Sequence, residues 1–321
     1  MLKRLQTILI TLALCVGTVW AGDVEDGNAA LLRKDYATAL IKYKRAAAQG
    51  KAIAQSNLGV MHSKGQGVVQ DYAEGVRWYK LAAAQSHAGA QYNLGATYSK
   101  GQGVVRDYAE AVRWYKLAAA QGDAGAQYNL GVKYENGQGV VRDYAEAVRW
   151  YKLAATQGDV GAQLNLGVMY SNGQGVAQDD AEAVRWYKLA ATQGDADAQL
   201  NLGYRYDIGR GVVQDYAEAV RWYKLAAAQG HASAQSNLGT MYGEGQGVVQ
   251  DYTRAHMWFN LAAVKGYSVA VKNRDNVAKR MTSQQIAEAQ TLARECANDV
   301  SVKSRRKHAV NHTACTGCHC R

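Results

Sequence analysis

From residue 107 the chain reads DYAEAVRWYKLAAAQGDAGAQYNLGVKYENGQGVVR, two stretches of helically spaced apolar residues separated by a glycine. At about 100° per residue, Tyr108, Ala111, Val112, Tyr115, Ala118 and Ala119 share one helix face. Asp107 stands as N-cap with Glu110 three residues later, a capping-box pattern. Gly122 ends this first helix, and Asp123 caps a second that runs to about Asn136 before Gly137. Gly137 and Gly139 shape the loop onward. The pattern predicts an αα-hairpin, which is too small to cover its own apolar face.

The cover comes from repetition. RWYKLAA begins at Arg77, Arg113, Arg149, Arg185 and Arg221, always 36 residues apart, and Asp35, Asp71, Asp107, Asp143, Asp179, Asp215 and Asp251 mark seven units. A fixed period of this length dictates a stack in which each unit contacts only its neighbours. Trp114 and Leu117 lie to one side of the main apolar face, on an edge expected to meet another unit. The first unit has Lys42 and Arg45 in those columns, whereas the last keeps Trp258 and Leu261, so the edge is predicted to face the preceding unit. The glycine of NLG (Gly59, Gly95, Gly131, Gly167, Gly203, Gly239) costs about 1 kcal/mol inside a helix relative to alanine. Its recurrence implies a close backbone approach, expected against the small pair Ala118 and Ala119 of the first helix.

Outside the repeats, Lys3 and Arg4 precede an apolar run from Leu5 to Val19, the layout of a signal peptide cleaved after Ala21. LALC at 12 to 15 offers lipidation at Cys15 as an alternative, disfavoured by the size of Leu14. No other run is long enough to span a bilayer. The expected organisation is a signal peptide over 1–21, an N-terminal capping segment over 22–34, a repeat stack over 35–286, a C-terminal capping helix over 282–297, and a disordered basic tail over 298–321. The mature chain is expected in the periplasm or secreted, as a monomer.

The order A, LG, Y, GxGV, D, A, WY, LAA, QG resembles the Sel-one-like repeat (SLR), a relative of the tetratricopeptide repeat, from residue 35 to about 286. AHMWFNLAAVKGYSVAVKNRDNVAKRMTSQQIAEAQTLAR is similar to the closing segment of exported SLR proteins, with Thr282 or Ser283 capping the last helix. The resemblance implies an all-α solenoid coiled as a right-handed superhelix, whose concave side, lined mainly by first helices, binds other proteins. SLR loops often read GVPQD, whereas this chain has no proline and writes GVVQD or GVVRD. A cysteine-rich SLR branch is associated with β-lactam binding, but the repeats here lack its paired cysteines, so a hydrolase is only an alternative.

Composition narrows the chemistry. The formal charge of +10 is concentrated in residues 35–106 and 251–321, while 107–250 are net acidic. A nucleic-acid groove needs a continuous basic stripe, so no nucleic-acid partner is expected. Arg113, Arg149, Arg185 and Arg221, with Lys116 and Lys152, could grip carboxylates of a protein partner. The competing reading, favoured because identical copies suit a repeated surface, is a solvated face with Glu110 and Arg113 paired. Selectivity would then lie in variable second-helix columns, which hold Tyr128 and Leu164 before NLG and pairs such as Val132 and Lys133 after it. The histidines His62, His87, His231 and His256 read as occupying unmatched columns, and no nucleophile, base and orienter recur together, so no catalytic residue is expected.

The tail carries Cys315, Cys318, His319 and Cys320, and Cys296 precedes it. CTGCH fits c-type haem attachment, the same residues with His312 could hold zinc, and the four cysteines could form disulfides, with Cys296 joined to one of the others. Disulfides are favoured by the compartment and no cofactor is expected. The reading as a whole is a non-enzymatic, extracytoplasmic scaffold for another protein, with a tail-borne haem or metal protein as the alternative.

Overall fold

The computed structural model describes residues 22–307, with side chains described to residue 298. The described residues form sixteen helices and no strand. They are α1 (22–32), α2 (Tyr36–Ala48), α3 (Ala52–Lys64), α4 (Tyr72–Ala83), α5 (Ala88–Lys100), α6 (Tyr108–Ala120), α7 (Ala124–Asn136) and α8 (Tyr144–Thr156). There follow α9 (Val160–Asn172), α10 (Asp180–Thr192), α11 (Ala196–Ile208), α12 (Tyr216–Ala228), α13 (Ala232–Glu244), α14 (Tyr252–Val264), α15 (Ser268–Ala278) and α16 (Ser283–Lys307). The chain divides into two compact units, one ending at Asp159 and one starting at Val160. The expected signal peptide, with Cys15, and the tail from residue 308 lie outside the described residues.

Local chemistry sets the helix ends. Asp107 accepts hydrogen bonds from the backbone N–H of Ala109 at 2.9 Å and of Glu110 at 3.0 Å, and Asp143, Asp179 and Asp215 repeat the pattern. The reciprocal half of the expected capping box does not form. The Asp107 N–H instead donates to the Tyr98 carbonyl at 3.0 Å, and Glu110 turns to Arg113. A reciprocal box forms at Thr282 and Gln285, where each backbone N–H meets the other's side-chain oxygen.

Gly122 ends α6 at φ +90°, a left-handed position where Ser86 stands in the copy after α4, at φ +60°. A side chain there costs about 1–2 kcal/mol relative to glycine. Ser86→Gly should therefore raise the unfolding free energy by about 1 kcal/mol, checked as a higher urea midpoint in equilibrium denaturation.

Packing differs from expectation in its frame. The closest helix pairs are a second helix with the first helix that follows it, such as α5 with α6 and α7 with α8. The helix-B glycine explains why: a Cβ on Gly131 would lie 2.4 Å from the Tyr151 ring, and one on Gly95 would lie 2.5 Å from Tyr115. The glycine thus makes room for the buried tyrosine of the next helix, not for the alanine pair of its own unit. Gly27 meets Tyr43 in the same way, at 2.6 Å. The N-terminal capping segment therefore contains a shortened second helix over 22–32, and Lys42, expected to face solvent at the end of the stack, pairs with Asp23 at 2.9 Å and Asp26 at 2.8 Å.

The tryptophan edge runs as predicted. Trp114 packs on the cluster of Val76, Tyr79, Ala82 and Leu94, and Trp150 on that of Val112, Tyr115 and Leu130. In the second unit Trp222 joins Tyr187 and Leu202. The leucine does not follow: Leu81, Leu117, Leu153, Leu189 and Leu225 are 41–45% exposed, because no described element covers that column until α16 buries Leu261. Helix α16 itself runs to Lys307, not to residue 297, across a segment with no glycine or proline to stop it.

A buried polar ladder accompanies the apolar one. The Gln121 side-chain N–H donates to Gln91 Oε1 at 2.7 Å, and Gln91 Nε2 donates to the Ala83 carbonyl at 3.4 Å. Gln85–Gln55 and Gln157–Gln127 repeat this in the first unit, and Gln193–Gln163 and Gln229–Gln199 in the second. Each bond is worth about 1 kcal/mol net, and its directionality fixes the register of adjacent repeats.

Candidate protein-binding surface

The first helices α4, α6 and α8 present Arg77, Arg113 and Arg149, and each guanidinium is paired within its own helix. Arg113 lies 3.4 Å from Glu110, Arg149 3.7 Å from Glu146, and in the second unit Arg185 and Arg221 lie 3.1 and 3.0 Å from Glu182 and Glu218. The same arginines stack on the next residue's indole: Arg113 is 5.3 Å from the centre of the Trp114 ring, and Arg221 is 4.3 Å from that of Trp222. Exposed i,i+3 pairs add only a few tenths of a kcal/mol. The arginines are thus neutralised and held flat against the helix surface, as the solvated reading of the ladder requires.

The lysines differ. Lys80, Lys116 and Lys224 lie 5.9, 5.7 and 5.9 Å from the ring centres of Tyr98, Tyr134 and Tyr242, and none has a carboxylate within ion-pair distance among the described residues. Each stands next to an exposed leucine, Leu81, Leu117 or Leu225. Around α6, residues Val112, Arg113, Lys116 and Leu117 join Gly139 and Val140 of the loop after α7 to line a shallow groove of about 540 Å³. The surface is an apolar column edged by Lys80, Lys116 and Lys224, which lack counter-charges among the described residues. Lys152 stands in the same column beside Leu153.

The variable second-helix columns divide between buried and half-buried positions, and Tyr204 is exposed. Tyr128 is half-buried with its ring centre 5.9 Å from that of Tyr151, and Leu164 packs on the cluster around Leu202. Lys133 and Arg205 are 5% and 6% exposed. Lys133 donates to Ser99 Oγ at 2.7 Å and to Gln138 Oε1 at 2.8 Å while lying 4.3 Å from the Tyr108 ring centre, and burial lowers its pKa. Arg205 instead meets Asp180 at 2.8 Å, in the one unit where aspartate replaces the tyrosine of this column. In the column of Lys133 and Arg205 the residue changes together with its packing partner.

The histidines also resolve into roles. His87 and His231 share one column with Asp123, Asp159 and Asp195, contrary to the expectation of unmatched positions, and they cap second helices. His87 Nδ1 accepts the Ala90 N–H at 3.1 Å. Only the unprotonated nitrogen can do so, and burial holds the His87 pKa below its ordinary 6.5. A lowered folded-state pKa means the folded chain binds fewer protons, so this stability is complete above about pH 6.5 and is lost as pH falls below it. Buried His256, lowered by burial and then by Arg274, acts in the same direction. His87→Asp should flatten the fall in urea midpoint between pH 7 and 5, while keeping the cap at pH 7.

Cys296 is disulfide-bonded, and its partner lies outside the described residues, as do Cys315, Cys318, His319 and Cys320. Among the described residues no group of three or more His, Cys, Asp or Glu could hold a metal ion, and no helix is long and apolar enough to cross a membrane.

The helical stack and its repeated surface define a solenoid of the interaction-scaffold type. The Sel1 repeat profile matches residues 22–51, 52–87, 88–123, 124–159, 160–195, 196–231 and 232–267, and the chain belongs to that family. These bounds pair each second helix with the first helix that follows, the frame seen in the packing, and count α1 within the first repeat. A Sel1 repeat protein of known structure from Oxalobacter formigenes is 38% identical with a TM-score of 0.68, over 75% of this chain and 99% of that one. Another similar structure is c5321, a protective antigen of uropathogenic Escherichia coli strains with an SLR fold, at 28% identity and a TM-score of 0.44 over 88% of this chain and 85% of that one. No curated protein matches the sequence. Sel1 repeat proteins generally mediate protein–protein interaction, and solenoids of this kind are typically non-enzymatic.

Proposed function

We propose that this protein is an exported, non-enzymatic scaffold that binds a partner protein through the leucine column of its first helices. The observation that carries the reading is the run of leucines at 41–45% exposure beside lysines, on helices whose arginines Arg77, Arg113, Arg149, Arg185 and Arg221 each face a glutamate. A segment presenting apolar side chains flanked by aspartate or glutamate satisfies both features, because it covers the leucines and supplies the missing counter-charges. Export rests on the leader pattern of residues 1–21, and the reading assigns no cofactor.

The test is comparative capture. The parent and a Leu81→Asp, Leu117→Asp, Leu153→Asp variant are immobilised and exposed to envelope extract, and bound proteins are quantified by mass spectrometry. The three sites are exposed, so the variant should keep its helical circular dichroism while losing at least one specifically bound protein. Identical capture by the two would overturn the assignment of the leucine column.

A further inference from the structure

The glutamine ladder breaks at one rung. In five copies the buried glutamine Oε1 accepts from a glutamine thirty residues later. For Gln235 that position is Lys265, whose Nζ bonds to the Gly230 carbonyl instead. Gln235 is 2% exposed and its Nε2 donates to the Ala227 carbonyl at 3.2 Å, as in the other rungs, while its Oε1 has no hydrogen-bond partner. The indole N–H groups of Trp78, Trp114, Trp150, Trp186 and Trp222 are also unpartnered, but alike in copy after copy, whereas Gln235 is a departure from its own column.

At this departure the structure opens. Gln235 lines a cavity of about 330 Å³ formed where α16 crosses α14, with Trp258, Leu261, Ala293 and Cys296 as its buried walls and Lys265 at its exposed rim. A pocket in this size range, mostly apolar with one buried polar group, has the makeup of a small-molecule site. An unsatisfied buried acceptor costs about 1–3 kcal/mol, which a ligand's donor would recover.

We propose that this cavity binds a compact, mainly apolar molecule carrying one hydrogen-bond donor, a hydroxyl or N–H, which donates to Gln235 Oε1. The site is separate from the exposed leucines Leu81 to Leu225, since it lies under α16, where Leu261, the last member of that column, is buried.

Two probes that differ only in the donor test it on the full chain: 1-indanol and indane, by ligand-observed NMR titration. The parent should bind 1-indanol about tenfold more tightly than indane. Lys265→Gln restores the ladder residue and should occupy the Gln235 acceptor, so it should abolish the preference and leave the melting temperature equal or higher. Absence of binding by either probe, equal binding of the two by the parent, or a preference that survives Lys265→Gln would each overturn the proposal. Binding of 1-indanol only after removal of residues 308–321 would assign the cavity to the chain's own tail and overturn it equally.

Discussion

Asp180→Tyr should destabilise the second unit by about 3–5 kcal/mol, because it removes the carboxylate from a buried guanidinium. Tyrosine itself suits the site sterically, standing at Tyr36, Tyr72, Tyr108, Tyr144, Tyr216 and Tyr252 in this column. The damage would come from Arg205, whose side chain is 7% exposed and would keep only the uncharged hydroxyls of Ser171 and Tyr187 as hydrogen-bonding partners. Arg210, which meets the other Asp180 oxygen at 2.7 Å, is 49% exposed and can be solvated. The double change Asp180→Tyr with Arg205→Met reproduces the Tyr36–Met61 and Tyr216–Met241 combinations already present in the chain. It should restore stability to within about 1 kcal/mol of the parent or exceed it, since an apolar pair often replaces a buried ion pair without loss. Urea denaturation of the parent, single and double variants gives the coupling. An additive double variant would show that the two residues do not act as a pair.

Trp222→Ala should cost about 3–5 kcal/mol, the range for deleting a large buried aromatic side chain. The indole is 4% exposed and packs among Ala183, Tyr187, Ala190 and Leu202, so its loss opens the contact between α12 and the preceding repeat. Leu225→Ala, three residues later on the same helix and at 42% exposure, should cost under about 1 kcal/mol. In a quasi-one-dimensional stack the loss stays near the broken contact, so amide exchange should rise first in α10, α11 and α12. Equal costs for the tryptophan and the leucine would contradict the packing described.

The repeat was legible because its strongest signals are local and periodic. The Asp107 cap, the glycine terminator at Gly122 and the tryptophan direction all follow from helix-end chemistry and from which columns change in the first unit. What pairs with Gly131 was not legible, since the sequence shows a small residue without showing whose ring fills the space; the answer, Tyr151, shifts the frame by one helix. The ladder of Gln91 and Gln121 was not legible either, because glutamine is usually exposed and a thirty-residue offset gives no local signal. Leu117 shared a predicted edge with Trp114, yet only the indole reaches the neighbouring cluster. For the candidate site, the pairing of Arg113 with Glu110 was legible from their spacing, whereas the position of Lys116 over Tyr134, without a carboxylate, depends on side-chain placement. Tyr128 and Leu164 were assigned to recognition because they vary, and variation at a half-buried contact looks the same in one sequence.

The claim that a partner protein covers the leucine column is tested most directly by site-specific photo-crosslinking in cells producing the full chain. A photoreactive residue is placed at position 117 or 153 on the first helices, and in a control at exposed position 136 on α7. The account predicts one protein crosslinked from both 117 and 153 and absent from 136, with the yield falling when Lys116 is changed to glutamate. Crosslinks from 136 without any from 117 or 153 would contradict it.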